Sequence, residues 1–228
     1  MVAISHNHKF IFIKTIKTGG TSVEMFLEPL CTPPSHVVQH KTPTIETSYG
    51  VIGRRSPAPR LKRLTQYFEK WYNHMPAEKV RNRLGSEKFD SYLKISTIRD
   101  PYDYAISFFH EYMSLRKVKI SDDVQTRRAE FVKFINGRWT NQLHLLTIGN
   151  EIVVQRFVRL EHFHQDLENI VTEVGAQAEQ LTLPFVKINK KRSRNLTDYY
   201  DKPTAKIVRS HMNWVFDRFD YPTKIIGI

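Results

Sequence analysis

The apolar run Phe10-Ile11-Phe12-Ile13 leads into a lysine-led glycine turn, Lys17-Thr18-Gly19-Gly20-Thr21-Ser22, and then into the helical run Val23 to Leu30. Val23, Phe26, Leu27 and Leu30 recur at the spacing of one helix face, so the segment after Ser22 reads as an amphipathic helix that begins at the glycines. A strand, a glycine turn and a helix in that order aim backbone N–H groups and a helix N-terminus at whatever lies over the turn. That arrangement suits a phosphate or sulfate group. Read on its own, the turn also fits a simple connection between a strand and a helix.

The details of the turn narrow the ligand. Gly19 and Gly20 allow positive φ and close approach of backbone to an anion, and Thr21 and Ser22 add hydroxyl donors. The lysine precedes the glycines, whereas a triphosphate-binding GxxxxGK[ST] loop places it after them. No Gly-Lys dipeptide occurs anywhere in the 228 residues. A chain of this length, 40% apolar and 12% aromatic, supports one domain with a real core and is not disordered. The one cysteine, Cys31, excludes an internal disulfide framework and fits a reducing compartment. With no signal-like apolar segment and no run near the roughly 20 residues of a membrane span, a cytoplasmic protein without a membrane partner is expected.

Thirty-five basic residues against 23 acidic ones give a formal charge of +12, which calls for an anionic ligand or partner. Arg54, Arg55, Arg60, Lys62 and Arg63 form one basic group, and Lys187, Lys190, Lys191, Arg192 and Arg194 another. Neither is interleaved with aromatics in the manner of an RNA-binding sheet, so no nucleic-acid partner is expected.

Along the chain, strands alternate with helices and no repeat is visible. Residues 32–70, rich in Pro, Ser and Thr at their start, are expected to form a long loop insertion. A short helix is predicted from Pro76 to Leu84, then a buried strand over Tyr92–Ile98. Asp100 and Pro101 supply an N-cap and a first helical residue. Further helices are predicted over Arg128–Asn136, Thr140–Ile148, Phe163–Val174 and Pro203–Arg218, with a strand near Ile152–Leu160. The alternation predicts an α/β fold, a P-loop-like parallel sheet flanked by helices in a single domain, with ligands beyond the carboxyl ends of the strands.

A second segment adds chemistry. Arg99 ends the 92–98 strand and Ser107 lies on the helix that follows, so a guanidinium fork and a hydroxyl can converge on one oxyanion. The two segments together resemble the sulfotransferases that use 3′-phosphoadenosine-5′-phosphosulfate. Ile16-Lys17-Thr18-Gly19-Gly20-Thr21-Ser22 is similar to the family's PKTGTT or PKTAGTS loop, which wraps the 5′-phosphosulfate. Ile98 to Phe109 is similar to VRNPYDRLVSLY, whose arginine and serine hold the 3′-phosphate. Phe157-Val158-Arg159-Leu160-Glu161 resembles the GRFE strand end, and the likeness runs on to Phe216–Tyr221. Ile16 stands where the family has proline, and Asp100 where asparagine is common.

The resemblance implies a cofactor site of Lys17, Thr18, Gly19, Gly20, Thr21, Ser22, Arg99 and Ser107, with Lys191 and Arg192 as a loosely aligned basic loop. It implies 3′-phosphoadenosine-5′-phosphosulfate as donor, 3′,5′-adenosine bisphosphate as product, and no metal. Lys17 would meet the charge that appears on the leaving oxygen, which is differential binding of the transition state. His74 matches the histidine of the HxTAxEI element, the family's presumed base, and an imidazole suits that task. His110 and His40 are reserve bases, Glu111 and Glu24 are alternatives because glutamate serves in some relatives, and His6 and His8 read as tail residues. The acceptor is expected to be a hydroxyl group on a carbohydrate or small molecule, an anionic glycan fitting the charge. A P-loop-type nucleotide kinase and a non-catalytic nucleic-acid-binding module are the rival readings.

Overall fold

The structure, a computed structural model, describes residues 2–55, 70–137, 139–177, 181 and 195–228. They fall into two compact units, Met1–Ile98 with Gln142–Val186, and Arg99–Asn141 with Lys187–Ile228.

The first unit is built on a six-stranded sheet. In chain order its strands are β1 (Val2–Ser5), β2 (Phe10–Ile13), β3 (Ile45–Glu46), β4 (Gly50–Ile52), β5 (Leu93–Ile98) and, after a two-stranded ribbon of β6 (Thr147–Ile148) and β7 (Glu151–Ile152), β8 (Arg156–Arg159). The spatial order is β3-β4-β1-β2-β5-β8. β2 pairs with β5, and β5 with β8, in parallel; β1 runs antiparallel to β2 and β4, and β3 antiparallel to β4. Four strands, β2, β4, β5 and β8, therefore point one way. The sheet is mixed where a parallel one was expected, and the cause is local. The β1–β2 connection is only the four residues His6–Lys9, and a link that short joins strands antiparallel. His6 and His8 belong to this turn and are no tail: His6 Nδ1 lies 3.1 Å from the Tyr92 hydroxyl and His8 Nδ1 3.1 Å from the Val174 carbonyl. Residues 32–55 supply β3 and β4 as well as loop.

Helices α1 (Gly20–Leu27), α2 (Ala77–Leu84), α3 (Ser86–Ser91), α6 (Leu143–Leu146) and α7 (Phe163–Glu173) belong to this unit. Phe10, Phe12, Ile95 and Val158, alternate residues on three strands, join Val23 and Phe26 of α1 and Leu167 of α7 in one apolar cluster. Ile11 and Ile13, facing the other way, are also fully buried. Burial on both faces is why β2 reads as a continuous apolar run, and each such side chain contributes about 1.5–3 kcal/mol.

The second unit, among its described residues, is helical: α4 (Pro101–Leu115), α5 (Val124–Ile135), α8 (Lys202–His211) and α9 (Asn213–Arg218). The run expected as one helix from Pro203 breaks at Met212, whose φ of −109° and ψ of 23° leave helical geometry. Its core is aromatic, and the polar tips are paired. The Tyr200 hydroxyl donates to the Tyr102 carbonyl (2.9 Å), and the Tyr102 hydroxyl to the Thr223 carbonyl (2.8 Å). Among the described residues no helix is long and apolar enough to cross a membrane.

Asp100 caps α4 as its sequence implies: one carboxylate oxygen accepts from the N–H groups of Tyr102 (2.8 Å) and Asp103 (3.0 Å), and Pro101 fills the first position. Replacing Asp100 by alanine is expected to lower stability by about 1 kcal/mol, while Asp100→Asn stays within about 0.5 kcal/mol. Urea unfolding of the two variants checks this, and equal losses would show that the cap is not what the carboxylate provides.

Candidate functional site

The glycine turn leaves the carboxyl end of β2 beside that of β5. Three buried hydroxyls fasten it there: Thr15 Oγ1 donates to the Thr97 carbonyl (2.7 Å) and lies 2.8 Å from Thr97 Oγ1, and Thr18 Oγ1 is 2.7 Å from Thr15 Oγ1 and 2.6 Å from Thr97 Oγ1. The Thr18 side chain thus serves the fold, and only its backbone remains for a ligand.

Gly19 takes φ 81° and ψ 5° and starts α1 with no side-chain cap. A Cβ on Gly19 would come within 2.7 Å of Leu160, and one on Gly20 within 2.8 Å of Lys14 Cγ. Both glycines are therefore required, the first for its conformation and the second for room. Thr21 and Ser22, half-buried, open the helix. An uncapped N-terminus carries partial positive charge and unsatisfied N–H donors, and both favour an anion.

The backbone around this turn is held in an unusual state. Lys17 (φ 61°), His74 (φ 54°) and Gln142 (φ 66°) are three of the five non-glycine residues with positive φ among those described. All three meet at the turn: Lys17 is in it, His74 Nδ1 lies 3.2 Å from the Lys14 carbonyl, and the Gln142 side-chain oxygen accepts the Ile16 N–H. Such conformations cost about 1–3 kcal/mol each and persist only where surrounding contacts enforce them. The sequence singled out Lys17 and His74; Gln142, fully buried at the start of α6, carried no local signal.

The bond to Lys14 fixes the chemistry of His74. A carbonyl can only accept, so Nδ1 carries the hydrogen and Nε2 is left as the proton-accepting atom. Burial, with the Lys14 ammonium adding to it, pushes the imidazole down to about 3. His74 is therefore neutral at neutral pH.

Lys14 is a second residue that the motif did not flag, although a lysine at the end of a buried strand is itself a signal. Its ammonium donates to Thr21 Oγ1 (2.8 Å) and Glu24 Oε2 (3.1 Å). Glu24 Oε1 faces Arg55 Nε at 3.5 Å, Arg55 pairs with Glu28, and Glu28 Oε1 is 2.6 Å from His36 Nε2. Glu24 is fully buried in these pairs, which removes it as a base.

In the second unit, Arg99 and Ser107 lie two helical turns apart with Asp103 between them. Arg99 Nη2 donates to Asp103 Oδ2 (2.9 Å), while its Nε is buried with no partner among the described residues. Ser107 is buried. His110 Nε2 lies 2.8 Å from the Tyr199 hydroxyl, packed as a structural histidine, and His40 is exposed. Arg159 of β8 is held by Asp166 through Nε (2.9 Å) and Nη2 (2.8 Å). Lys191 and Arg192 lie outside the described residues.

The low value at His74 sets a pH dependence. Above the unfolded value of 6.5 the native preference for neutral imidazole is fully in force; as pH falls from 6.5 toward 3, the unfolded chain binds a proton that the native protein refuses, and stability is lost. His74→Asn tolerates positive φ and does not titrate there. Between about pH 7 and 4 its melting temperature is expected to fall less steeply than the wild type's; parallel curves would mean that His74 is not buried neutral.

No protein family, curated protein or solved structure matches this chain in comparisons of sequence or fold.

Proposed function

We propose that the chain is a sulfotransferase that moves a sulfuryl group from 3′-phosphoadenosine-5′-phosphosulfate to an acceptor hydroxyl. The observation that carries this reading is the turn itself: an uncapped helix start, Lys17 at positive φ just before it, and the imidazole of His74 on the Lys14 carbonyl. The order of residues separates it from a triphosphate loop, because Thr21 stands where that loop would have its lysine.

In this reading the N–H groups of Gly19, Gly20 and Thr21 and the Thr21 and Ser22 hydroxyls hold the 5′-phosphosulfate, the Ser22 N–H being spent on the Gly19 carbonyl (3.0 Å). Arg99, whose Nε has no partner among the described residues, and Ser107 hold the 3′-phosphate. The bound donor supplies an activated sulfur–oxygen bond. His74 Nε2 takes the proton of the acceptor hydroxyl as its oxygen attacks sulfur, the negative charge of the bound donor raising the imidazole from the low value that burial gives it. The bond from sulfur to the bridging oxygen breaks, its electron pair stays on the 5′-phosphate, and Lys17 meets that charge. The products are a sulfate ester and 3′,5′-adenosine bisphosphate. An acidic glycan is the acceptor class that the charge of +12 suits best.

Thermal shift with 3′,5′-adenosine bisphosphate tests the reading. At a hundredfold excess over Kd the gain is about 2.7 kcal/mol, or roughly 5–10 °C for a chain of this size. Arg99→Ala is expected to lose most of the shift. Lys17→Ala is expected to keep part of it, and His74→Asn to keep it in full, both with transfer lowered about 100-fold or more. A wild-type protein that shows no shift overturns the proposal.

A further inference from the structure

Lys14 is a buried cation, 5% exposed, that lies directly behind the turn. An ammonium has three N–H donors and no lone pair, so in the 2.8 Å contact the Thr21 oxygen must accept. The Thr21 hydrogen is then left to donate elsewhere, and Thr21 is half-buried in the uncapped first turn of α1. A hydroxyl that accepts from a cation is polarised and becomes a stronger donor.

The surroundings balance that charge, with Lys14 and Arg55 set against Glu24 and Glu28, so what reaches the turn is the local polarisation of Thr21 and not a net charge. Glu24 faces both Lys14 (3.1 Å) and Arg55 (3.5 Å), so one carboxylate is divided between two cations. Glu28, the other carboxylate of the group, pairs with Arg55 and lies 2.6 Å from His36 Nε2. The missing Cβ of Gly20 makes the arrangement possible, since a methyl there would lie 2.8 Å from Lys14 Cγ.

We propose that Lys14 is a positioning residue that acts through Thr21, a relay from ammonium to hydroxyl to anion that brings the polarisation of a buried cation to the anion held by Gly19–Ser22. The proposal rests on reading that turn as an anion site. It gives the turn two lysines with different tasks: Lys17 meets the leaving oxygen, and Lys14 strengthens a donor without touching the ligand.

Isothermal titration of the full chain with inorganic pyrophosphate and with 3′,5′-adenosine bisphosphate tests it. Lys14→Met and Thr21→Val are each expected to weaken both probes about tenfold, and the double variant no further than the weaker single one, because both remove the same relay. Lys14→Met leaves Glu24 under-compensated and lowers thermal stability; Lys14→Met/Glu24→Gln restores the charge balance, and with it stability, but not affinity. That charge-balanced variant decides the matter where Lys14→Met folds poorly. Wild-type affinity in Lys14→Met, single effects that multiply to about a hundredfold in the double variant, or affinity that returns together with stability each overturn the relay. A wild type that binds pyrophosphate but not the bisphosphate overturns the sulfotransferase reading while the pyrophosphate series still decides the relay. Binding of neither overturns both.

Discussion

Lys14 follows directly on the fully buried run Phe10–Ile13, so the chain carries an ammonium into its interior at the point where the strand ends. A buried charge costs several kcal/mol unless it is paired and hydrogen-bonded, and this requirement fixes much of what surrounds it. Helix α1 must return with Glu24 facing the strand, which sets its rotation and leaves Val23 and Phe26 on the apolar cluster. Glu24 in turn holds Arg55, and Arg55 holds Glu28 and the backbone carbonyl of Gln39. The segment after β4 is thereby tied to α1 through charge rather than through apolar packing.

The same residue connects the parts of the proposed site. Its ammonium reaches Thr21 at the start of α1, and its carbonyl sets the tautomer of His74. Gln142 holds the next peptide along, at Ile16, and the Thr15–Thr18–Thr97 hydroxyls hold the turn against β5. Between these anchors Lys17, His74 and Gln142 keep conformations that free peptides rarely adopt. A turn held this firmly presents its N–H groups without having to be ordered when an anion arrives, which is the physical content of preorganisation.

In the second unit the segment from Arg99 through Ser107 is organised by a different device. Asp100 and Pro101 start α4, and the tyrosine and phenylalanine side chains behind it form an aromatic core in which the Tyr102 and Tyr200 hydroxyls pair with backbone carbonyls and the Tyr199 hydroxyl with His110. Arg99 is partly neutralised by Asp103, one turn along, and retains a buried Nε without a partner among the described residues. A group left in that state is costly, and the 3′-phosphate of the proposed ligand would remove the cost.

By itself the sequence determined β2, the helix that starts at the glycines, β5, the capped start of α4 and the span of α7. Each is specified by residues within a turn or two of one another, through period, capping and backbone freedom. It also marked Lys17, His74, Arg99 and Ser107. Only the tertiary structure decided that the sheet is mixed, that two short strands come from a stretch read as loop, that Thr18 is spent on the fold and Glu24 on an ion pair, and that Lys14 and Gln142 belong to the site. The partners of His74 and of the Ile16 N–H are 60 and 126 residues away in the chain. Contacts over such separations leave no periodic or neighbouring trace; they exist only once the strands have paired and brought those residues to the same strand ends.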